Sequence, residues 1–287
     1  MCIIHYMCKL LACDLDGTLF YPRQIGRCIP RRNVRFLRNW IDAGNKVVLI
    51  TSRSYEYVEK LFNEIKRPVD VMSCNSSKIH IDGKLVKHRW MPNEELKKIF
   101  DGIESKYEPI GYLLTAEDHP CVIYNSKRRG GFFMAMLMIW YFFQFKYREK
   151  NEINNDLFID LMNNGKCYKV MTFFGFGKKK RDLSKEINKA LREKFPEIES
   201  SWSLIVNELT AKGCNKGEGL EEYCKLANIK DEDVYVVGDS GNDIAMFTKY
   251  HEHSYCMAHA YPSVKKYAKY AITRVHKLDK LVLKGEK

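Results

Sequence analysis

The chain contains 287 residues, of which 45% are hydrophobic and 29% are charged. This is the composition of a globular protein, and the length suits one large domain or two smaller ones. Lysine and arginine outnumber aspartate and glutamate by 48 to 36, which gives a formal net charge of +12. Such a charge favours an anionic partner, but it does not distinguish nucleic acid from a membrane surface or a phosphorylated metabolite.

Three features bear on where the protein works. Ten cysteines are scattered without a CxxC pair or a Cys/His cluster at zinc spacing, so we expect reduced thiols and a cytoplasmic protein instead of a disulfide framework or zinc site. "LLAC" at Leu10–Cys13 is similar to a lipoprotein cleavage site, but the preceding segment lacks an early basic residue. The apolar run Phe132–Phe145 spans about fourteen residues, whereas a bilayer span needs about twenty. Buried or partner-facing structure is expected there, with a membrane-associated surface as the alternative.

The chain up to Asn75 alternates between strands and helices. Continuous apolar runs predict buried strands at 9–14, 46–50 and 69–75. A segment from Pro30 to Gly44 and the segment 55–65 carry apolar residues at helical spacing. This alternation predicts an α/β fold with a doubly wound, Rossmann-like parallel sheet.

The pattern changes after the third strand and returns near Cys214. "KIHIDGKLVKH" alternates apolar and polar residues around Asp82-Gly83, which predicts a hairpin with a type I′ turn. Helices predicted at 93–107, 151–165 and 181–195 then mix with an extended segment at 168–176. A helix opened by Gly217 and a buried strand at 233–239 restore the first pattern. We therefore predict a parallel-sheet core of residues 1–82 and 208–287, with residues 83–207 as an inserted α+β domain.

Polar residues stand near the carboxyl ends of the predicted core strands, which is the edge where open parallel sheets bind ligands. They are Asp14 and Asp16 after the first strand, Thr51, Ser52 and Arg53 after the second, Lys216 at the start of a later helix, and Asp239, Asn242 and Asp243 after the strand at 233–239. The predicted fold brings these distant stretches to one crevice.

The carboxylates in this set indicate a cation. Acids that are packed together repel one another, so they need a positive charge between them. An oxygen cluster with two or three acids suits Mg²⁺, which keeps positions open for water and a phosphate oxygen. With a lysine and a hydroxyl to bind the remaining oxygens, the set suits in-line phosphoryl transfer, and one acid is left to attack.

Four motifs occur in a recognisable order: "DLDGTLF", "ITSRS", "NKGEGL" and "GDSGNDIAMF". Together they resemble those of the haloacid dehalogenase superfamily of phosphatases and phosphotransferases. The last motif, the trailing "YCMAHAYPSVKKYAKYAIT" and the long insert are similar to the Cof-like branch with a type IIB cap. The motif resemblance covers residues 9–82 and 208–275, whereas the cap is matched by position and length alone.

The resemblance implies catalytic roles for four residues. Asp14 corresponds to the nucleophile that forms an aspartyl-phosphate, and Asp16 to the general acid and base. Thr51 corresponds to the hydroxyl that binds the transferring phosphoryl group. Lys216 corresponds to the cation that offsets the phosphoryl charge and orients Asp14.

The resemblance also implies a magnesium site and substrate contacts. The implied ligands are Asp14, the backbone carbonyl of Asp16 and Asp239, with Asp243 supporting the metal shell. Ser52, Arg53 and Asn242 are the implied contacts to the phosphorylated substrate. The expected activity is hydrolysis of a small phosphorylated metabolite, such as a sugar phosphate, by a monomer or homodimer.

The chain departs from the family pattern at three places. Ser52 stands where the family usually has glycine, so the close backbone approach expected of glycine is not implied here. Ser76-Ser77 replaces a common Gly-Ala, and Ala258-His259 replaces a common Gly-Asn. His259, like His119, His251 and His253, shows no metal spacing, and we assign all four to the surface or a satisfied core.

Other functions use similar residues. A phosphomutase uses the same core and returns the phosphoryl group to a second hydroxyl. A receiver-like phosphorylation switch also combines acids, a hydroxyl and a lysine around magnesium, but such domains are shorter and lack both the DxD pair and a large insert. A nucleic-acid-binding protein fits the charge, yet no recognition motif supports it. The basic clusters 126–131 and 177–182 are expected to be solvated surface, with contact to a phosphorylated substrate or another polyanion as the alternative.

Overall fold

The computed structural model describes residues 8–126, 149–175, 177–203 and 206–283. The chain divides into two compact units, residues 1–87 with 216–287 and residues 88–215. The sequence predicts that a catalytic core meets a cap at 82/83 and at 207/208, and these two boundaries stay predictions. The run Phe132–Phe145 and residues 127–131 of the first basic cluster lie outside the described residues. Within the described ranges, no helix combines the length and the apolar character needed to cross a membrane.

The strands and helices are as follows. The strands are β1 (Leu10–Asp14), β2 (Lys46–Ile50), β3 (Asp70–Ser73), β4 (Lys78–Ile81), β5 (Lys84–His88), β6 (Gly111–Ala116), β7 (Val122–Asn125), β8 (Glu152–Ile153), β9 (Cys167–Phe173), β10 (Ile198–Ser203), β11 (Val206–Ala211), β12 (Val234–Gly238), β13 (Ser254–Met257) and β14 (Tyr270–Ile272). The described α-helices are α1 (Arg31–Asp42), α2 (Tyr55–Ile65), α3 (Asn93–Tyr107), α4 (Asn155–Asn164), α5 (Lys178–Lys194), α6 (Lys216–Ala227), α7 (Ile244–Lys249) and α8 (Pro262–Lys265).

An eight-stranded sheet forms the first unit, in the order β14-β13-β12-β1-β2-β3-β4-β5. The six strands from β14 to β3 run parallel, and β4 pairs antiparallel with β3. Between β4 and β5, Asp82 and Gly83 have φ values of 51° and 74°, the two positive values that a type I′ turn requires. β1 is buried along its whole length, as the apolar run predicts. The predicted doubly wound parallel sheet is confirmed.

The chain reverses its direction of winding at β1. From β1 it proceeds through β2 to β3 on one side, and after the insert it proceeds from β12 through β13 to β14 on the other side. The point between β1 and β12 is therefore the topological switch point, where open α/β sheets bind their ligands.

The second unit has its own sheet and its own helices, in an α+β arrangement. Its sheet has the order β10-β11-β9-β6-β7-β8, with antiparallel neighbours except for the parallel pair β7 and β8. Helices α3, α4 and α5 bury Phe100, Phe158 and Ile187 in one hydrophobic core with this sheet.

One predicted helix in this unit begins later than expected. The prediction spans 151–165, but Glu152–Ile153 pair with β7 and α4 starts at Asn155. The reason is Asn154, whose side-chain oxygen accepts a hydrogen bond from the backbone N–H of Leu157 at 3.0 Å and so caps the helix.

Candidate active site

The pairing of β1 places its carboxyl end between two other strand ends. β1 pairs in parallel with β12 and β2, and Asp14 is in register with Ile50, the residue before Thr51. Cys13 is in register with Val237, near the end of β12. Asp14 and the residues that follow β12 and β2 therefore share one edge of the sheet.

The turn after β1 brings Asp239 close to the backbone. Gly17 has a φ of +82°, which L-residues other than glycine rarely adopt. A Cβ at this position overlaps the carboxylate of Asp239, with Cγ only 2.7 Å away. The next residue, Thr18, donates a hydrogen bond from Oγ1 to Asp239 Oδ1 at 3.1 Å. Glycine is thus required twice here, for the turn and for the approach of the acid.

Lys216 joins two of the acids. It is the first residue of α6, its side chain is 1% exposed, and its Nζ lies 2.7 Å from Asp14 Oδ1 and 2.6 Å from Asp243 Oδ1. Burial alone lowers the pKa of a lysine, but the two carboxylates more than offset this and raise the pKa of Lys216 above its usual value. Lys216 is therefore a permanent cation inside the site.

Asp243 is fixed by hydrogen bonds to both of its oxygens. Its Oδ1 faces Lys216, and its Oδ2 accepts from the backbone N–H groups of Asp239 and Ser240 at 2.8 and 2.9 Å. The second bond belongs to a capping box that starts the turn after β12. Asp243 therefore holds the loop that carries Asp239.

Asp14 has one oxygen to spare. Its Oδ1 is bound to Lys216, whereas Oδ2 is buried without a hydrogen-bond partner among the described residues. Burial raises the pKa of Asp14 well above its usual value, Lys216 opposes this, and Asp243 and Asp239 add to it. The pKa of Asp239 is also raised, mainly by burial. These are acids that lack a sufficient counter-charge.

A metal ion is what the donor set fits. One oxygen from each of Asp14, Asp239 and Asp243 lies within 4.8 Å of the others, an arrangement that could hold a cation. The raised pKa values of Asp14 and Asp239 point the same way, since buried acids without sufficient counter-charge are costly. A hard divalent cation with oxygen ligands matches this chemistry.

The second acid of the DxD pair is bound to Arg53. Arg53 donates from Nε to Asp16 Oδ2 at 2.6 Å and from Nη2 to Asp16 Oδ1 at 2.8 Å, a bidentate fork. The guanidinium also stacks over the ring of Tyr57, with 4.2 Å between the guanidinium carbon and the ring centroid. Desolvation acts to raise the pKa of Asp16, but Arg53 holds it below its usual range.

The remaining predicted residues lie at the same strand ends. Thr51 is buried, and its Oγ1 accepts a hydrogen bond from the backbone N–H of Arg53 at 3.1 Å. Ser52 is half-buried between them. Asn242 is buried in the turn after β12, and its Oδ1 accepts from Ser240 Oγ at 2.6 Å. The structure thus joins Asp14, Lys216, Asp243 and Asp239 into one group, and it binds Asp16 to Arg53 at the same sheet edge.

The sequence reasoning missed three contributors. Thr18 and Ser240 lie inside the quoted motifs, and their hydroxyls could have been read as partners for the neighbouring acids. His259 is assigned by sequence to the surface or core, yet its Nε2 lies 3.8 Å from Asp239 Oδ2 and its ring packs on Tyr21, with 4.1 Å between centroids. The available signal was that Ala258-His259 replaces the Gly-Asn that is common in the family.

In this doubly wound α/β fold, the site combines a buried carboxylate oxygen that no described residue binds with a cluster of acids that could hold a cation, a combination that group-transfer enzymes use. The family of haloacid dehalogenase-like hydrolases matches residues 11–280. The chain belongs to this family, and the resemblance seen in the motifs is confirmed.

Several relatives cover most of the chain. The chain is 26% identical over 259 residues to the 5-amino-6-(5-phospho-D-ribitylamino)uracil phosphatase YwtE of Bacillus subtilis, which covers 83% of this chain and 84% of that protein. It is also 26% identical to the 5-amino-6-(5-phospho-D-ribitylamino)uracil phosphatase YbjI of Escherichia coli. That match covers 91% of this chain and 89% of that protein.

Solved structures share the fold. SMU.1108c from Streptococcus mutans UA159 superposes with a TM-score of 0.79 at 21% identity and covers 96% of this chain and 99% of that chain. The HAD subclass IIB sugar phosphatase BT4131 superposes with a TM-score of 0.74 at 21% identity and covers 95% and 98%. These likenesses show that the doubly wound core with its α+β insert is the fold of such proteins.

Proposed function

We propose that this protein is a magnesium-dependent phosphatase that hydrolyses a small phosphorylated metabolite through an aspartyl-phosphate on Asp14. One observation carries the proposal: no described residue forms a hydrogen bond to Asp14 Oδ2, while Lys216 holds Oδ1 at 2.7 Å. A carboxylate that is fixed by one oxygen and free at the other is suited to attack phosphorus in line.

In the first step, Asp14 Oδ2 forms a bond to phosphorus while the bond from phosphorus to the ester oxygen breaks. Asp16 gives its proton to the departing alkoxide, which leaves as an alcohol. Asp16 is bound to Arg53 in the free protein, so this role requires the fork to open when substrate arrives.

In the second step, water attacks the aspartyl-phosphate. Asp16, now ionised, accepts a proton from that water, and the bond from phosphorus to Asp14 breaks to release inorganic phosphate and restore the free carboxylate. The same residue thus serves as acid and then as base.

Two further groups stabilise the transferring phosphoryl charge. The ammonium of Lys216 has three N–H donors and spends two on Asp14 and Asp243, which leaves one for a phosphoryl oxygen. Thr51 can donate its hydroxyl while its oxygen accepts from Arg53. We assign Ser52, Arg53 and Asn242 to contacts with the bound phosphate.

We assign the magnesium ion to Asp14, Asp239 and the carbonyl of Asp16, with Asp243 in support. When bound, the ion offsets the negative charge of the acids and of the phosphoryl group. Asp243 suits a supporting role because its two oxygens already accept from Lys216 and from two backbone N–H groups.

The substrate class we favour is a sugar or polyol phosphate. Two relatives at 26% identity are named for a phosphorylated ribitylamino-uracil, and a structural neighbour is named a sugar phosphatase. We propose that the inserted unit, predicted as residues 83–207, acts as the cap that selects the leaving group. We also infer a reducing cytoplasmic setting, which the nine free thiols among the described cysteines support.

The test is a panel of phosphate esters assayed for phosphate release in magnesium. We expect sugar or polyol phosphates to be hydrolysed, and we expect excess chelator to stop the reaction. Asp14→Asn should abolish turnover and keep the fold, whereas Asp42→Asn, an exposed acid on α1, should leave turnover unchanged. Substantial activity of Asp14→Asn, or full activity in chelator, contradicts the proposal. Transfer to a second hydroxyl that depends on a bisphosphate activator would instead indicate a mutase.

A further inference from the structure

A basic cavity lies in the first unit apart from the catalytic residues. It encloses about 730 Å³ between the loop after β1, the start of α1 and the segment after β14. This volume is within the range of small-molecule sites, about 300 to 1,000 Å³. None of the proposed catalytic or metal-binding residues lines it.

Four cationic side chains line the cavity: Arg31, Arg32, Arg274 and Lys277. Among the ion pairs of the described residues, none includes Arg31, Arg32 or Lys277. Arg274 donates from Nη1 to the carbonyl of Thr273, and its guanidinium packs over Tyr21 at 4.6 Å. These cations surround one concave space, and an anion that enters it is attracted by all four of them.

The start of α1 adds to the positive potential. The residue before the helix is Pro30, whose side chain cannot cap the first turn, and this turn contains no acidic residue. The first N–H groups of a helix lack acceptors within the helix and carry the positive end of its dipole. In this case Arg31 and Arg32 reinforce that end, where an acid is the usual complement.

The floor of the cavity is fixed. Asn33 is fully buried, and its amide donates to the carbonyls of Leu19 and Tyr21 at 2.8 and 3.3 Å. Its Oδ1 accepts from the backbone N–H of His276 at 3.3 Å and lies 3.1 Å from His276 Nδ1. Because this oxygen can only accept, the bond to the ring requires a proton on Nδ1. One side chain thus ties together the three segments that form the cavity.

His276 lines this cavity, and the nearby charges act on its imidazole. Burial is the main cause that lowers its pKa, and the charges of Arg32, Lys277 and Arg274 lower it further, while Asp279 acts in the opposite direction. Three cations thus act on one ring from two segments of the chain.

We propose that this cavity is a binding site for an oligophosphate anion, either free or as the phosphate tail of a nucleotide. Four cations spread over a space of this volume exceed what one phosphate needs and match a chain of phosphates. A concave site favours a small anion over a membrane surface or a nucleic acid, which require an extended face. This inference is independent of the proposed catalytic reaction.

The test is isothermal titration of the full chain with tripolyphosphate, ATP and adenosine, in metal-free buffer so that the phosphates stay fully charged. Tripolyphosphate and ATP should bind and adenosine should not. Equal affinity for the two anions identifies a free oligophosphate site, and tighter binding of ATP identifies a nucleotide site. Either result supports the proposal, whereas no binding of both anions overturns it.

The variant pair localises the binding. Arg32→Gln/Lys277→Gln removes two exposed cations from the cavity and should weaken tripolyphosphate binding about tenfold or more, since two charge-assisted contacts are lost. Arg35→Gln/Lys84→Gln removes the same charge from exposed positions outside the cavity and should change it less than about threefold. The assignment is overturned if both pairs of substitutions weaken tripolyphosphate binding equally. It is also overturned if only Arg53→Gln, at the candidate active site, abolishes that binding.

A second readout is specific to the site. The imidazole signals of His276, assigned with His276→Gln, should shift in NMR spectra when tripolyphosphate saturates the wild-type chain. The signals of His119, in the second unit, should stay in place. Binding without a shift of the His276 signals contradicts this location.

Discussion

Lys216 Nζ stands between Asp14 and Asp243, at 2.7 Å and 2.6 Å from one oxygen of each. With Asp239, the cluster contains three carboxylates and one ammonium, which sum to a charge of −2 when all are ionised. One divalent cation neutralises that sum. The raised pKa values of Asp14 and Asp239, caused first by burial, show the same deficit of positive charge.

Lys216→Met tests the importance of this cation. The substitution leaves two buried carboxylates without their partner, so we expect the free energy of unfolding in metal-free buffer to fall by about 3 kcal/mol. We expect kcat to fall about 100-fold or more, because the proposed donor to the phosphoryl group is lost. Chemical denaturation and phosphate release measure the two effects.

The matched control is Lys225→Met on the same helix. Lys225 is exposed and pairs with Glu221 one turn away, so its loss should change stability by about 0.5 kcal/mol or less and leave kcat unchanged. If Lys216→Met behaved like this control, Lys216 would have no special role.

Gly17→Ala tests the packing of the first motif against Asp239. An added Cβ meets the Asp239 carboxylate, so we expect that acid to move, the affinity for magnesium to fall about tenfold or more, and kcat/KM to fall with it. Metal titration followed by activity measures this effect.

Gly26→Ala isolates the backbone cost. Gly26 has a φ of +75°, close to that of Gly17, but a Cβ there meets no described atom within 4 Å. This variant should lose about 1 kcal/mol of stability and keep its metal affinity. Equal metal affinity in the two variants would argue that contact with Asp239 is unimportant.

The fold was predictable because its signals are local. Continuous apolar runs predict the central strands, and a Pro or Gly marks the ends of the helices. β2 and α2 begin and end where their sequence patterns begin and end. The acids of the site were predictable for the same reason, since each lies at the end of a buried strand or within a few residues after it. Asn154 shows the limit, because a capping side chain within a polar stretch sets where α4 starts.

Side-chain partners across distant segments were beyond the sequence pattern. His259 approaches Asp239 only because β13 lies beside β12, and the fork between Arg53 and Asp16 depends on the register of β2 against β1. A pattern along the chain contains neither the order of strands nor the rotamers of long side chains. These contacts therefore required the structure.

Arg53→Gln tests whether the fork controls the general acid. Arg53 holds the pKa of Asp16 low, so its removal should raise that pKa and enlarge the protonated fraction at any given pH. Because the proposed first step needs protonated Asp16, the alkaline limb of kcat/KM should move to higher pH. KM should also rise, since a proposed phosphate contact is lost.

Arg67→Gln supplies the comparison. Arg67 forms a similar fork with Asp42 on the surface, at 2.6 and 3.0 Å, outside the site. The pH profile of this variant should match that of the wild type. An alkaline limb that stayed in place or moved to lower pH in Arg53→Gln would contradict control of Asp16 by Arg53.

His80→Phe tests a source of acid sensitivity away from the catalytic group. His80 is buried in β4 and stacks on Tyr55 with 3.7 Å between ring centroids, and its Nδ1 has no hydrogen-bond partner among the described residues. Burial first, and then the charge of Lys78, lower the pKa of His80 to about 4. The unfolded chain therefore binds a proton between about pH 6.5 and 4 that the folded chain excludes, so stability is lost as the pH falls through this window.

Phenylalanine keeps the stacked ring and removes the titration. We expect the wild type to lose about 2 kcal/mol more than His80→Phe between pH 7 and pH 5, measured as the free energy of unfolding in urea at each pH. His251→Phe makes the same substitution at an exposed position outside β4 and should retain the wild-type pH dependence. Parallel curves for the wild type and His80→Phe would assign the acid sensitivity of this region to other groups.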